Sequence, residues 1–368
     1  MNMDINIIII ANYILLGLIA FIIIFIFSRR ILFFPFQLWF FHRKEYYKDI
    51  AKYLIDENHD NSRLIKFLLN IKNPINKLAL GEVLLEKIDT LNGDKKKFLI
   101  QLYEKSGIVD WRIRQLESVN TWKRRIAADI LGKSYSRKAV TPLIISLRDK
   151  DEDVRLIAAK ALGKLKVKGA IEYIISLFKD FPEEKCPIVA DILIDYGEEA
   201  VPSITKALDS IDLKTRFWSV RALSEINIIN EKFNYKTLEE KLLELLEDED
   251  DRVRAYGVVS LAKIGSQDKV GSILKLLKDR SEIVRSKAAI ALGILRNSEA
   301  IETLIESLSD RCWDVNYASS KALMEFSGQV EDRLKENLKN PKNIVRKRCK
   351  EILEEILLQK KLGEDDLA

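Results

Sequence analysis

Apolar residues along this chain recur with a helical period from about residue 45 onwards. Offsets of three, four and seven residues place apolar side chains on one face of a helix. Val140, Leu143, Ile144 and Leu147 show this spacing, and residues 171–178 and 270–277 repeat it. Glycine and proline are sparse and separate short periodic segments. The pattern predicts an all-α fold built of short amphipathic helices joined by turns.

The helical segments repeat with a period of about 31 residues, as in proteins built of stacked units. Six residues before a recurring arginine lies a serine, aspartate or asparagine, types that favour helix starts. Eight residues after the arginine, most repeats carry a small residue, which suits close helix packing. The aligned column of recurring positions, which we call the arginine column, contains Arg124, Arg155, Cys186, Arg216, Arg254, Arg285, Asn316 and Arg346.

This pattern resembles the HEAT repeat in its short form, the phycobilisome-lyase HEAT-like repeat. The resemblance rests on D-x5-R, then AA-x-ALG and a second helix ending in Asp, as in RDKDEDVRLIAAKALGKL at 148–165. It implies a right-handed α-solenoid of about seven stacked two-helix repeats over residues 118–340. It also implies a structural ladder between neighbouring repeats, with members Asp149, Arg155, Asp248, Arg254, Asp279 and Arg285. Cys186 and Asn316 depart from the pattern, so we expect irregular repeats there.

The segments on either side of the repeats are predicted to close the stack. Residues 45–117 contain helical patterns with a blurred period, which is typical of an N-terminal capping region. Residues 341–360 predict a C-terminal capping helix. Residues 361–368 form an acidic tail that we expect to fray.

Residues 5–27 contain no charged side chain and are long enough to cross about 30 Å of hydrocarbon as a helix. They predict a transmembrane helix preceded by residues 1–4 outside the cell. The basic residues that follow place the repeats in the cytoplasm by the positive-inside rule. A cleaved signal peptide is the alternative, but Asp4 replaces the basic start of such a peptide. We therefore expect a single-pass protein of the cell membrane.

Residues 28–44 form an aromatic and basic segment that we call the collar. Pro35 is expected to stop the preceding helix, and aromatic rings with arginines suit the lipid headgroup region. The collar is therefore predicted to lie in the membrane interface, so that residues 5–44 contact the bilayer. Packing against the first helices of the soluble part is the alternative. The predicted collar members are Arg29, Arg30, Phe33, Phe34, Phe36, Trp39, Phe40, Phe41, Arg43 and Lys44.

The sequence offers little catalytic chemistry. Two histidines and three cysteines without a CxxC pair disfavour a metal site or a disulfide framework. No phosphate-loop, dinucleotide, hydrolase or zinc-protease motif occurs, and the His-Glu pairs of HEAT-like di-iron hydroxylases are missing. We therefore expect no cofactor, no metal and no catalytic residue. A lyase-type enzyme of the phycobilisome-lyase HEAT-like class is the alternative.

The expected partner is a protein. The outward positions of the second helices mix acids and bases, whereas nucleic-acid binding requires a positive stripe, so a nucleic-acid-binding role is only an alternative. Mixed charge suits protein recognition. We interpret the chain as a membrane-tethered scaffold, an accessory subunit of a membrane-associated protein or enzyme complex. Its candidate partner contacts are Trp122, Trp313, Glu172, Lys206, Glu240, Glu244, Lys275, Glu302 and Glu306.

Overall fold

The computed structural model describes secondary structure for residues 2–55, 62–228, 235–326 and 328–365, and side chains for these ranges except residues 2–11, 26, 29–33, 36 and 360–365. Within these ranges the chain is helical and has no strand, so the predicted all-α class is confirmed. The helices divide into two compact units, Met1–Pro142 and Leu143–Ala368, which we call the N-terminal and C-terminal units.

The helices of the N-terminal unit are α1 (Asn2–Ile55), α2 (Ser62–Leu69), α3 (Pro74–Thr90), α4 (Gly93–Lys105), α5 (Ile108–Gln115) and α6 (Thr121–Lys133), and α7 (Val140–Ser146) crosses the unit boundary. The last turns of α1 pack on α3, where Tyr47 and Ala51 are fully buried. Lys44 at the end of the collar forms ion pairs with Glu82 at 2.9 Å and Glu86 at 2.8 Å. This end of the collar therefore belongs to the packed helical unit.

The predicted break at Pro35 is wrong, because α1 continues through this residue from Asn2 to Ile55. A proline inside a helix removes one backbone hydrogen bond and crowds one carbonyl group. The hydrogen bonds of the turns on both sides remain, and they keep the helix continuous.

The predicted single-pass location in the cell membrane requires correction. Among the described residues, no helix combines the length and the apolar character that crossing a bilayer demands. The prediction rested on residues 5–27, of which the side chains of 5–11 and 26 lie outside the described part. The orientation that was deduced from the span loses its basis with it, while lipid contact by the collar stays a prediction.

The C-terminal unit alternates first and second helices of the repeats. Its first helices are α8 (Glu152–Lys164), α10 (Cys186–Tyr196), α12 (Leu213–Glu225), α14 (Asp251–Lys263), α16 (Glu282–Leu295) and α18 (Trp313–Met324). Its second helices are α9 (Ile171–Asp180), α11 (Val201–Ala207), α13 (Lys236–Leu245), α15 (Val270–Leu276), α17 (Ile301–Ser307) and α19 (Gly328–Glu336). The predicted apolar stripe at 171–178 is buried, and in the stripe at 270–277 only Leu274 is half-buried. The last helix, α20 (Asn343–Asp365), extends the predicted cap into the acidic tail, and residues 366–368 lie outside the described part.

Successive first helices pack directly on one another at small residues of the repeat. A Cβ atom built on Gly293 of α16 would lie 2.9 Å from the Cα atom of Ala322 on α18. A Cβ atom on Gly163 of α8 would lie 2.8 Å from Cγ2 of Ile192 on α10. The glycines are therefore required by helix contact, as the repeat pattern predicts.

Four aspartates six residues before the arginine column lie two residues ahead of the helix N-caps, not at them: Asp149, Asp248, Asp279 and Asp310. Asp250 caps α14, while the Asp248 carboxylate accepts the Asp250 N–H at 2.9 Å. Asp279 binds the Ser281 N–H in the same way at 2.8 Å. These two turns order the entry to α14 and α16, and the Oδ2 atoms of the two aspartates accept hydrogen bonds from Arg216 and Arg254 of the preceding repeats.

Candidate functional site

Arginines of the repeat column join neighbouring repeats through aspartates. Arg254 Nε and Nη2 donate to the Asp279 carboxylate at 3.0 and 2.9 Å, and Arg285 binds Asp310 at 2.8 and 3.0 Å. Nη1 of Arg254 donates to the Asp248 carbonyl at 2.8 Å. Each arginine therefore holds the turn of its own repeat and the carboxylate of the next one. Arg216 and Asp248 form an equivalent pair at 3.1 Å.

The ion pairs of this ladder are shielded from solvent. The side chains of Arg254 and Asp279 are 5% and 11% exposed. Burial alone would raise the pKa of Asp279, but hydrogen bonds from Arg254 and from the Ser281 N–H outweigh burial and lower it. The hydrogen bond to Asp279 likewise raises the pKa of Arg254. Both groups therefore stay charged at neutral pH.

The ladder is interrupted after Arg155. Its Nη1 donates to the Asp149 carbonyl at 2.9 Å, but its buried Nε has no hydrogen-bond partner among the described residues. The guanidinium lies over the Phe181 ring at 5.1 Å. Asp180, at the position that would supply the carboxylate, is exposed because α9 continues through it. The structure thus places Asp149 and Arg155 together without an ion pair to the following repeat.

The repeats at Cys186 and Asn316 use other contacts. Lys185, next to Cys186, bridges back to Glu152 at 2.9 Å and Asp153 at 2.5 Å. The Asn316 side chain donates to the Asp310 carbonyl at 3.4 Å, while its buried Oδ1 has no partner in the described part of the chain. Both departures from the repeat pattern coincide with altered contacts between repeats.

The candidate contacts on the second helices are surface charges, several of which pair with each other. Lys206 reaches Glu172 of the preceding repeat at 2.9 Å. Glu302 lies 3.6 Å from Arg333, and Glu244 lies 3.1 Å from Lys241. Exposed pairs of this kind contribute little to stability. They make the second-helix surface mixed in sign and largely self-compensated. The other candidates there, Glu240, Lys275 and Glu306, lie on α13, α15 and α17.

The two candidate tryptophans are exposed in different surroundings. Trp122 at the start of α6 is 67% exposed. Trp313 at the start of α18 is 61% exposed and stacks on Tyr317, with ring centroids 4.9 Å apart. Only Trp313 therefore belongs to a larger aromatic surface among the described side chains.

The predicted collar members are only partly described. The side chains of Arg29, Arg30, Phe33 and Phe36 lie outside the described part. Phe34, Trp39 and Phe41 are exposed, Phe40 is half-buried, and Arg43 lies over the Trp39 ring at 5.4 Å. The described members therefore leave aromatic side chains on the outside of α1.

A groove between α16 and α18 concentrates exposed apolar side chains on the first helices. Two adjoining cavities of about 440 and 390 Å³ share Ile290, Ala318 and Lys321. Ile290 and Ile294 are 38% and 42% exposed, and Tyr317 is 48% exposed. The Arg296–Glu325 ion pair at 2.5 Å borders one end. We call this surface the α16–α18 groove.

Sequence reasoning missed this groove, although a signal exists in the repeat alignment. Nine residues after the arginine column, α16 carries Ile294, whereas the other repeats carry Lys133, Lys164, Asp195, Glu225, Lys263, Glu325 and Glu355. An apolar residue at a position that is otherwise charged distinguishes this repeat from the others.

The thiols and carboxylates of the described region form no evident reaction centre. Within that region, no three His, Cys, Asp or Glu side chains converge as metal ligands would. Burial raises the pKa of Cys186 and of Cys349 to about 11, so both remain protonated thiols at neutral pH. A reactive cysteine requires the opposite shift.

Comparisons with known proteins relate the chain to repeat proteins. It matches the family model described as HEAT repeats over residues 109–186, 239–324 and 272–354, which together cover more than half of the chain. A comparison with curated proteins finds no match. The chain is similar to a solved engineered protein of the Northeast Structural Genomics Consortium, with 20% identity, a TM-score of 0.40, and coverage of 85% of this chain and 94% of that one. It is also similar to the complex of CpcE and CpcF of phycocyanin lyase from Nostoc sp. PCC7120, with 19% identity, a TM-score of 0.33, and coverage of 67% and 94%.

Proposed function

The chain belongs to the HEAT-repeat proteins, and from this premise we propose that it is a scaffold that binds a protein partner. The proposal assigns it a binding role, as the accessory subunit of a larger complex, and no reaction. The α16–α18 groove is the proposed contact surface. The observation that carries the proposal is the row of exposed apolar side chains in this groove.

The groove suits a protein because it combines apolar area with charged edges. Ile290, Ile294 and Tyr317 leave apolar surface in water that burial by a partner would stabilise, at about 25 cal/mol per Å². Lys321 and Glu325 at the edge supply charges of both signs. An apolar centre with a polar rim is the usual anatomy of a protein interface. A partner helix presenting apolar residues would fill the groove between the two helices.

The second-helix surface has weaker support. Its Lys206 and Glu172 already compensate each other at 2.9 Å, so a partner would have to replace that pair or leave it at the rim. Rim charges influence association rates more than affinity. The candidate contacts on the second helices therefore remain a prediction that the same experiment tests.

The proposal is tested by site-specific photocrosslinking of the full chain in its source cells. A photoreactive phenylalanine derivative replaces Ile290 in the groove, Lys275 on the second helices, or Ile211. Ile211 is 98% exposed in a turn and lies outside the groove, so it serves as the matched control. We expect one discrete crosslinked protein from position 290 and none from position 211.

A second substitution tests whether the crosslink depends on the apolar contacts of the groove. Tyr317→Ala removes an exposed aromatic contact and should weaken partner binding about tenfold, which is the usual scale for an aromatic hot spot. The crosslink from position 290 should fall with it. A crosslink from position 275 alone would show that the partner binds the second helices and not the groove. Equal products from positions 290 and 211 would refute the proposal.

A further inference from the structure

The N-terminal unit contains a cationic cleft between the beginnings of α3 and α5. The cleft encloses about 200 Å³ and is lined by Lys72, Pro74, Lys77, Gly107, Ile108, Trp111 and Arg114. Three of these residues are cationic, and no acidic residue lines the cleft in the described part of the chain. We infer that this cleft binds a small molecule through a phosphate-type oxyanion. This inference is independent of the proposed partner groove.

The cations of the cleft have no counter-ion in the part of the chain that the structure describes. Lys72, Lys77 and Arg114 form no ion pair among the described residues. Two acids close in sequence to the cleft residues contact other groups: Asp110 lies 4.0 Å from Lys138, and Glu104 accepts the Ser136 hydroxyl. Three like charges around one cavity repel each other, and a bound anion would relieve that repulsion.

The backbone at Gly107 leaves space beside one of the three charges, the Lys77 ammonium group. The Lys77 Nζ atom lies 3.9 Å from the position that a Cβ atom on Gly107 would occupy. Gly107 has a φ of 73°, a left-handed conformation that glycine adopts without strain. A side chain at this position would narrow the entrance beside the ammonium group. The glycine therefore keeps the space next to Lys77 open.

The remaining walls define the kind of ligand. Pro74, Ile108 and Trp111 provide apolar surface beside the charges, and Arg112 covers the Trp111 ring at 4.4 Å. Most ligand pockets hold about 300–1,000 Å³, so this cleft suits a small ligand. Arg114 offers a planar fork for two oxygens, while the lysines act as point charges. An oxyanion on a short organic group satisfies both the charged and the apolar walls.

Titration of the full chain with inorganic phosphate tests the inference, with tryptophan fluorescence as the readout and chloride at equal ionic strength as the reference. We expect a saturable change that Trp111→Phe removes. Lys77→Gln and Arg114→Gln should each weaken phosphate binding about tenfold or more, as loss of a charge-assisted hydrogen bond does. Lys97→Gln is the control, because Lys97 lies in the same unit, is largely exposed and pairs with Asp94.

Each outcome of this titration decides the matter. Saturable phosphate binding that survives in Lys97→Gln and weakens in the two cleft variants supports the site. A wild-type response identical to that of chloride, or equal binding by all variants, overturns it. Circular dichroism spectra of each variant establish that the helices remain folded. A glycerol phosphate titration then compares the organic ester with free phosphate.

Discussion

Asp279→Asn should destabilise the C-terminal unit by about 3 kcal/mol. The wild-type carboxylate accepts hydrogen bonds from Arg254 Nε and Nη2 at 3.0 and 2.9 Å. The amide cannot accept both, and the Arg254 charge, on a side chain only 5% exposed, loses its counter-ion. Removal of one partner from a buried pair costs about 3–5 kcal/mol. We take the lower value because Nη1 keeps its bond to the Asp248 carbonyl at 2.8 Å.

Asp180→Asn is the matched control. Asp180 occupies the same repeat position but is exposed and makes no ion pair in the described structure. Its substitution should change the free energy of unfolding by less than about 0.5 kcal/mol. Urea unfolding followed by circular dichroism measures both variants. A loss of about 3 kcal/mol corresponds to a decrease in Tm of roughly 6–12 °C for a unit of this size. Equal stability of the two variants would refute the ladder argument.

The same pair predicts a dependence on pH. The folded pKa of Asp279 lies below its ordinary value, so its contribution is present above the unfolded pKa of about 3.9. The contribution is lost as the pH falls through the folded pKa. The stability difference between wild type and Asp279→Asn should therefore be full at pH 7 and shrink below about pH 4. A difference that stays constant down to pH 3 would contradict the assigned charge pairing.

Three further predictions concern packing, thiol accessibility and the interrupted ladder. Gly293→Ala should destabilise the fold by about 1–3 kcal/mol, because the new Cβ atom would lie 2.9 Å from the Ala322 backbone. Gly271→Ala is the control: the space around Gly271 is open, so this substitution should stabilise α15 by up to about 1 kcal/mol. Thermal unfolding distinguishes the two variants. In the folded chain, maleimide should label Cys312 well before Cys186 and Cys349, because the last two are fully buried. Mass spectrometry reports the order in which the three cysteines are labelled. Equal labelling rates would contradict the burial of Cys186 and Cys349. Lys185→Gln should destabilise the Cys186 repeat by about 1 kcal/mol, because it removes partly exposed ion pairs with Glu152 and Asp153. Urea unfolding at low and high salt tests this prediction. The stability difference between wild type and variant should be smaller at high salt, because salt screens the ion pairs of the wild type.

Local sequence signals settled the class of the fold. Apolar spacing in α9 requires a helix, because only the helical period puts Ile171, Ile174, Ile175 and Phe178 on one buried face. The glycines that the repeat requires fall where first helices touch, as at Gly293. These features depend on residues close in sequence, so the pattern alone contains them.

Two expectations about residues close in sequence were wrong for a physical reason. Pro35 removes one hydrogen bond, but the helix on either side has enough others to continue. Asp248 is a residue type that favours the N-cap position, yet the N-cap is Asp250. The Asp248 carboxylate instead accepts hydrogen bonds from the Asp250 N–H in the turn and from Arg216 of the preceding repeat. The position of a side chain that binds two partners depends also on the partner that is distant in sequence.

The sequence by itself determined that this chain is a stack of paired helices with a repeating arginine and aspartate. It did not determine which repeat each arginine binds, because Arg254 and Asp279 are 25 residues apart and meet only when neighbouring repeats pack. The α16–α18 groove and the cationic cleft were also decided by tertiary structure. Each consists of residues from different segments of the chain. The exposure of their side chains and the balance of charge around them depend on which other residues pack against them in the folded protein.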